Sequence, residues 1–315
     1  MSEITHDDIV RFVNERVNLP KGTADEHRGQ VNKLRERLEA KIAEDSAFDL
    51  IKMLHAGSVA KGTALRTVND LDVAVYVETG EAPTEDGELI PWMAERLAEA
   101  NPNMSPDQFE AQTHCVTINF RGSGLNVDVV PVLYEGAEDD RGWLVRKYTG
   151  ERVLTSIPLH LEFIRTRKRR YGDDYKQLIR VVKWWKRQQD LRFKSFMIEL
   201  LWAHLAAAGT PLVDYPIALE GFFTYIVKSG LKERVFFTDY YSAVSLPAST
   251  TGVIEIFDPV NPGNNIAKNY AEADRQAIVT AAHEALDAIG EATYAITKAE
   301  AVECWQDILG KGFRG

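Results

Sequence analysis

From position 71 to 77 a large aliphatic residue recurs at every second position. Leu71, Val73, Val75 and Val77 are apolar, and Asp70 and Asp72 flank the first of them. A period of two sends successive side chains to opposite faces, so this stretch is a strand with one buried face, and both carboxylates leave from the other. Val116, Ile118 and Phe120 alternate in the same way, as do Val127 and Val129. These predict two more strands of one sheet, with a helix near 90–100 between the first two strands.

The period changes on either side. Thr23 and Glu26 read as a capping box, and Val31, Leu34, Leu38 and Ile42 recur at helical spacing, which predicts a long helix over 23–44. A shorter helix is expected near 6–17, ending before Pro20. Beyond Pro158 the pattern predicts helices over 159–170, 173–189 and 195–208, with weaker ones near 217–229 and 268–295. At 315 residues the chain is long enough for two lobes. The reading is α+β: a small α/β lobe over 1–155 with the long N-terminal helix as its spine, and a mostly helical lobe over 156–315. No internal repeat or low-complexity tract interrupts them.

With 37 basic and 47 acidic residues the net charge is −10, which argues against permanent coating of nucleic acid or anionic membrane and leaves room only for a local basic patch. Cys115 and Cys304 cannot make a disulfide framework, and no Cys/His group has zinc spacing. The start, MSEITHDD, is no signal peptide, and the most apolar stretch, 196–209, contains Glu199 and His204 and is too short to span a bilayer. A soluble, cytoplasmic protein without membrane attachment is expected.

Residues 55–77 read HAGSVAKGTALRTVNDLDVAVYV. Asp70 and Asp72, roughly 6–7 Å apart along one strand face, suit hard divalent ions that take oxygen ligands. Asp128 alternates with Val127 and Val129 and falls on the polar face of another strand, where a carboxylate needs a cation or hydrogen bonds. Three carboxylates on adjacent strands can bracket two Mg²⁺ ions for an in-line displacement at phosphorus. Gly57-Ser58 sits where a short helix would begin, with free backbone N–H groups and a hydroxyl for phosphate. Each piece alone has an ordinary reading: D-x-D pairs often sit solvated at strand ends, and Gly-Ser often only caps a helix. Their order and spacing together point to nucleotidyl transfer.

In these residues the sequence resembles the polymerase-β-type nucleotidyltransferases, and within them the CD-NTases, the cGAS/DncV-like enzymes of bacterial CBASS anti-phage systems, clade C above all. GSVAKGTALRTVNDLDVAVYV, VDVVPVLY, TSIPLHLEF, KSFMIELLW and DPVNPGNN look like that family's blocks in order. The resemblance implies a mixed sheet in the first lobe and, in the second, a domain like that of oligoadenylate synthetases and poly(A) polymerases. It implies that Asp70, Asp72 and Asp128 are catalytic and bind two Mg²⁺ ions, with Mn²⁺ as a substitute. Gly57 and Ser58 would hold the donor's terminal phosphates, Lys183 and Ser195 would contact the triphosphate, and Phe196 would stack on a base. Each has a structural alternative: a solvated lysine on an amphipathic helix, a helix cap, a core phenylalanine. Asp258, Asn264 and Asn265 resemble a family loop, but Asp-Pro and Asn-Pro steps also simply make turns. The zinc-bearing insertion of cGAS is absent.

Arg165, Arg167, Lys168, Arg169 and Arg170 place five cations within six residues. They read either as a solvated face or as a contact for the phosphates of duplex DNA. The resemblance further implies a HORMA-domain regulatory partner, ATP and other NTPs as substrates, and a cyclic oligonucleotide product, cyclic tri-adenylate first, that switches on an effector such as a nuclease. Two other readings stand beside it. One is a transferase adding nucleotides to a linear RNA or small-molecule acceptor; the other is a catalytically dead nucleic-acid sensor, disfavoured because dead relatives need no trio of mutually repelling carboxylates.

Overall fold

The computed structural model describes residues 3–44, 50–68, 70–80, 82–248 and 252–315. Its elements run α1 (His6–Phe12), continued by a π-helical turn Val13–Val17, then α2 (Lys21–Glu44), β1 (Leu50–His55), α3 (Gly57–Lys61), β2 (Asp70–Glu78), α4 (Leu89–Glu99), β3 (Phe109–Ala111), β4 (Val116–Phe120), β5 (Leu125–Tyr134), β6 (Gly142–Val145) and β7 (Arg152–Thr155). Helices follow: α5 (Ile157–Tyr171), α6 (Asp174–Gln188), α7 (Ser195–Ala207), α8 (Tyr215–Ser229), α9 (Glu272–Tyr294) and α10 (Lys298–Leu309).

Two compact units emerge, Leu19–Glu162 and Met1–Asn18 with Phe163–Gly315. The α/β unit is therefore not 1–155. Residues 3–18 pack with the helical unit, for reasons given below, and the later division falls seven residues beyond position 155, inside α5.

In the α/β unit the sheet runs β1-β2-β5-β4-β3, with β6 added to β5 and β7 to β6. Only β2 and β5 are parallel, so the sheet is mixed. β5 pairs with β2 from end to end, whereas its other edge is shared, first with β4 and then with β6. Leu71, Val73, Val75, Val127 and Val129 form one core with Val31, Leu34 and Leu38 of α2 and Ile90, Met93 and Leu97 of α4. That packing fixes the register, since a slip of one residue would bury the aspartates instead. The side chain of Ile42, expected on the same stripe, lies outside the described residues.

α2 begins two residues before the expected cap. The carbonyl of Pro20 accepts from Ala24 N–H at 3.0 Å, so Thr23 lies inside the first turn rather than at the cap. Proline suits this position because the N–H it lacks would have had no partner inside the helix.

The helical unit is organised around α7, whose residues from Met197 to Ala203 are all buried. Being apolar all round, it is a core helix rather than a membrane one; among the described residues no helix is long and apolar enough to cross a membrane. Trp202 stacks on Phe222 with ring centroids 4.9 Å apart, and Trp185 meets Phe223 at 4.8 Å. The N-terminal residues close this core. Phe12 meets Trp184 at 6.0 Å and Phe313 at 5.5 Å, and His6 meets Tyr215 edge-on at 4.5 Å. Asp8 pairs with Lys298 at 3.0 Å and Arg11 reaches the carbonyl of Gly315 at 2.7 Å.

Candidate active site

Within the α/β unit, strand register sets two of the expected three carboxylates side by side. Asp72 of β2 lies directly opposite Asp128 of β5, and Asp70 lies opposite Asn126. Neighbouring strands stand about 4.8 Å apart, so the two carboxylates leave the same face side by side. Asp70 is exposed, and Asp72 and Asp128 are half-buried. Thr117, opposite Asp128 on β4, donates its hydroxyl to Asp128 Oδ1 at 2.6 Å and orients that carboxylate.

Cys115 completes the neighbourhood. Burial first, and then the charges of Asp128 and Asp72, push its thiol up to about 11, while a hydrogen bond with Thr117 pulls the other way. It is a neutral thiol at physiological pH. Thr117 and Cys115 escaped the sequence reading. Thr117 could have been found by alternation, since it shares a face with Asp128 once β4 is aligned against β5.

Asp72 is approached by backbone. The N–H of Ala56 donates to the Asp72 carbonyl at 2.8 Å, and α3 starts there with Gly57 at φ +62°. A β-carbon on Gly57 would overlap the Asp72 carboxylate. Glycine is required twice over, by the left-handed backbone and by the contact. Ser58, half-buried in the first turn of α3, follows immediately, and its carbonyl accepts from Thr63 N–H at 2.9 Å.

The donor set fits a hard divalent ion: carboxylate oxygens from two adjacent strands, with the Thr117 hydroxyl orienting Asp128. Among the described residues no three His, Cys, Asp or Glu side chains already converge to hold a metal. Asp70 is the exposed member of the three.

The helical unit carries the other expected residues. Lys183 is neither solvated nor open: it is 3% exposed and its Nζ lies 2.6 Å from Glu199 Oε1, itself 2% exposed. This ion pair ties α6 to α7. Lys186, three residues on, was not anticipated; its Nζ donates to the carbonyl of Phe193 at 2.7 Å and lies 3.4 Å from Ser195 Oγ. Burial, and secondarily the charge of Lys183, holds the Lys186 ammonium below its usual range. Ser195 opens α7 but does not cap it; the cap position is Lys194. Phe196 is half-buried. The loop with Asp258 is pinned internally: Asp258 accepts from Val260 N–H at 2.8 Å, and Asn265 from Ile256 and Ala267 N–H at 3.2 and 3.0 Å.

The basic run divides. Arg167 grips both carboxylate oxygens of Asp239 at 2.9 Å and lies 3.4 Å above the Phe163 ring, so it is a packing residue of the helical unit. Lys168 pairs with Asp173 at 3.0 Å. Arg165, Arg169 and Arg170 are the exposed cations of the run. Of the five, Arg167 and Lys168 thus have carboxylate partners in the helical unit.

A mixed sheet whose parallel pair carries facing aspartates, entered through a glycine-serine turn, defines a nucleotidyltransferase of polymerase-β type. No protein-family model matches the chain. Among curated proteins it is 45% identical to "Cyclic AMP-AMP-AMP synthase" of Escherichia coli (strain MS 115-1), covering 99% of this chain and 98% of that one, and 30% identical to "CBASS oligonucleotide cyclase CdnC" of Escherichia coli (strain KTE188), covering 97% and 96%. Solved structures of E. coli MS115-1 CdnC, in a CdnC:HORMA-deltaN complex and with ATP, each match with TM-score 0.91 and 45% identity over 99% of both chains. Vibrio cholerae DncV cyclic AMP-GMP synthase shares the fold, with TM-score 0.73 and 11% identity over 99% of this chain and 97% of that one. The chain belongs to the CD-NTase family of nucleotidyltransferases, among its CdnC-type CBASS oligonucleotide cyclases.

Proposed function

We propose that this enzyme joins ATP into cyclic tri-adenylate. The observation that carries this reading is its 45% identity, end to end, with a cyclic AMP-AMP-AMP synthase. The facing pair Asp72–Asp128 supports it from the structure. Asp70, Asp72 and Asp128 would hold divalent metal, two Mg²⁺ ions or Mn²⁺ in their place. When bound, the metal supplies charge neutralisation on the transferring phosphate and lowers the pKa of the attacking ribose hydroxyl.

The chain's own groups position the reactants. Gly57 lets the backbone approach closely beside Asp72, and Ser58 offers its hydroxyl and N–H to the donor's terminal phosphates. Thr117 holds Asp128 in one rotamer, which spares reorganisation when the acceptor hydroxyl arrives. On the helical unit, Ser195 with Lys186 presents a hydroxyl and an ammonium for phosphate oxygens. Lys183 reaches phosphate only by exchanging the Glu199 carboxylate for it. Phe196 offers an aromatic face to a base.

A HORMA-domain protein is the proposed regulatory partner, as in the CdnC:HORMA-deltaN complex of the relative. Duplex DNA is proposed as a second activator, held through Arg165, Arg169 and Arg170. The product is proposed to act in the cytoplasm on an effector such as a nuclease.

Product analysis tests this. Labelled ATP with Mg²⁺, a HORMA-domain partner and duplex DNA is expected to give a phosphatase-resistant product with the mass of cyclic tri-adenylate, absent in Asp70→Asn/Asp72→Asn protein and after chelation. Products that remain phosphatase-sensitive would replace this reading with the linear transferase.

A further inference from the structure

A cavity of about 600 Å³ lies in the α/β unit between α2, the loop after α4 and the β4–β5 turn. Leu34, in its lining, belongs to the core that also contains Leu71, Val73, Val127 and Val129. The cavity therefore opens on the helix-covered side of the sheet, and Asp70, Asp72 and Asp128 leave from the opposite face.

Its lining is cationic in a chain of net charge −10. Lys33 and Arg37 stand one turn apart on the exposed side of α2, and Arg121 comes from the β4–β5 turn; no carboxylate lines the cavity. Among the described residues neither Lys33 nor Arg37 makes an ion pair. Arg37 donates instead to the amide oxygen of Asn101 at 3.0 Å. Asn101 is 2% exposed and fixed in turn by a 2.8 Å bond to the carbonyl of Leu97. A buried neutral amide thus aims the guanidinium without cancelling its charge. Arg121 does pair with Asp107, but both are exposed, and such a pair is weak enough to open. Phe120, Met104 and Leu34 give the same cavity an apolar part to its lining.

We propose that this cavity is a second, non-catalytic binding site for a nucleoside polyphosphate. The phosphates lie on Lys33, Arg37 and Arg121, and the base lies on Phe120 and Met104. Aromatic ring and fork-shaped cation together match a ring-bearing polyanion better than a bare phosphate. The volume accommodates one nucleotide. This assignment stands whether or not the enzyme's product is cyclic.

Photolabelling of the whole enzyme with 8-azido-ADP in the presence of a chelator tests the site. Tryptic cleavage after Arg96 and Arg121 releases residues 97–121 as one peptide. Fragmentation is expected to place label within 101–104 or on Phe120, and excess inorganic tripolyphosphate should suppress it. Lys33→Glu/Arg37→Glu protein should stay folded, with a melting temperature lowered by loss of the Arg37–Asn101 bond, and lose this label about tenfold. Absence of label at these positions, label that tripolyphosphate leaves unchanged, or equal labelling of the folded variant each overturns the proposal.

Discussion

Gly57 and Asp72 are locked together: the left-handed backbone of the one lies so close to the carboxylate of the other that a single methyl group would overlap it. Gly57→Ala should therefore move the Asp72 carboxylate. The expected result is loss of nucleotidyl transfer by about 100-fold or more, with destabilisation of about 1–3 kcal/mol. Product formation and denaturant unfolding, measured on the same preparation, separate the two effects.

The Lys183–Glu199 pair predicts an asymmetry. Removing one partner leaves a buried charge, so Glu199→Gln or Lys183→Met should each cost about 3–5 kcal/mol in urea unfolding. Replacing both with apolar residues should cost much less. Lys186→Met, at a half-buried position, should leave stability within about 1 kcal/mol of the parent and raise KM for ATP.

Asp8 makes stability depend on acid. Burial opposes its charge, but the Thr5 N–H and Lys298 outweigh that and hold its carboxyl down at about 2, below the ordinary 3.8. A carboxyl lowered on folding contributes stability that is present above its unfolded pKa and is lost as pH falls through the folded one. Asp8→Asn should thus be destabilised by about 2 kcal/mol at pH 7. The gap from the parent should shrink between pH 4 and pH 2, as thermal melts across that range would register.

Arg167 and its neighbours should behave oppositely. Arg167→Ala breaks the Asp239 fork and the Phe163 contact and should destabilise the helical unit by about 1–3 kcal/mol. Arg165→Glu/Arg169→Glu/Arg170→Glu should melt like the parent and lose any stimulation by duplex DNA. Stimulation that survives this change would place DNA elsewhere.

The strands that carry the aspartates were legible because Leu71, Val73, Val75, Val127 and Val129 keep a period of two on one buried face, although Ala74 and Tyr76 are buried on the other. β1 was not: its pairing with β2 slips between Leu50 and Lys52, and a slip breaks the period. β3, β6 and β7 have only three or four residues each, too few to show a pattern. α10 did carry a signal. Thr297 and Glu300 form a true capping box ahead of Ala301, Trp305 and Ile308. Thr23 and Glu26 looked equally good on paper, but Pro20 had already begun the helix. At the site, the aspartates followed from spacing. The burial of Lys183 did not, because its partner Glu199 sits in an apolar helix sixteen residues away and only packing brings the two together.

The helical unit is written in two pieces of sequence, with the whole α/β unit between them. On the ribosome, Phe12 and Val13 emerge early, yet Trp184 and Phe313, the rings that cover Phe12, are made only after residue 162. The stretch Leu19–Glu162 can collapse while synthesis continues, since its core draws on no residue outside it. The opening helix must wait, apolar side exposed, until the last residues of the chain arrive.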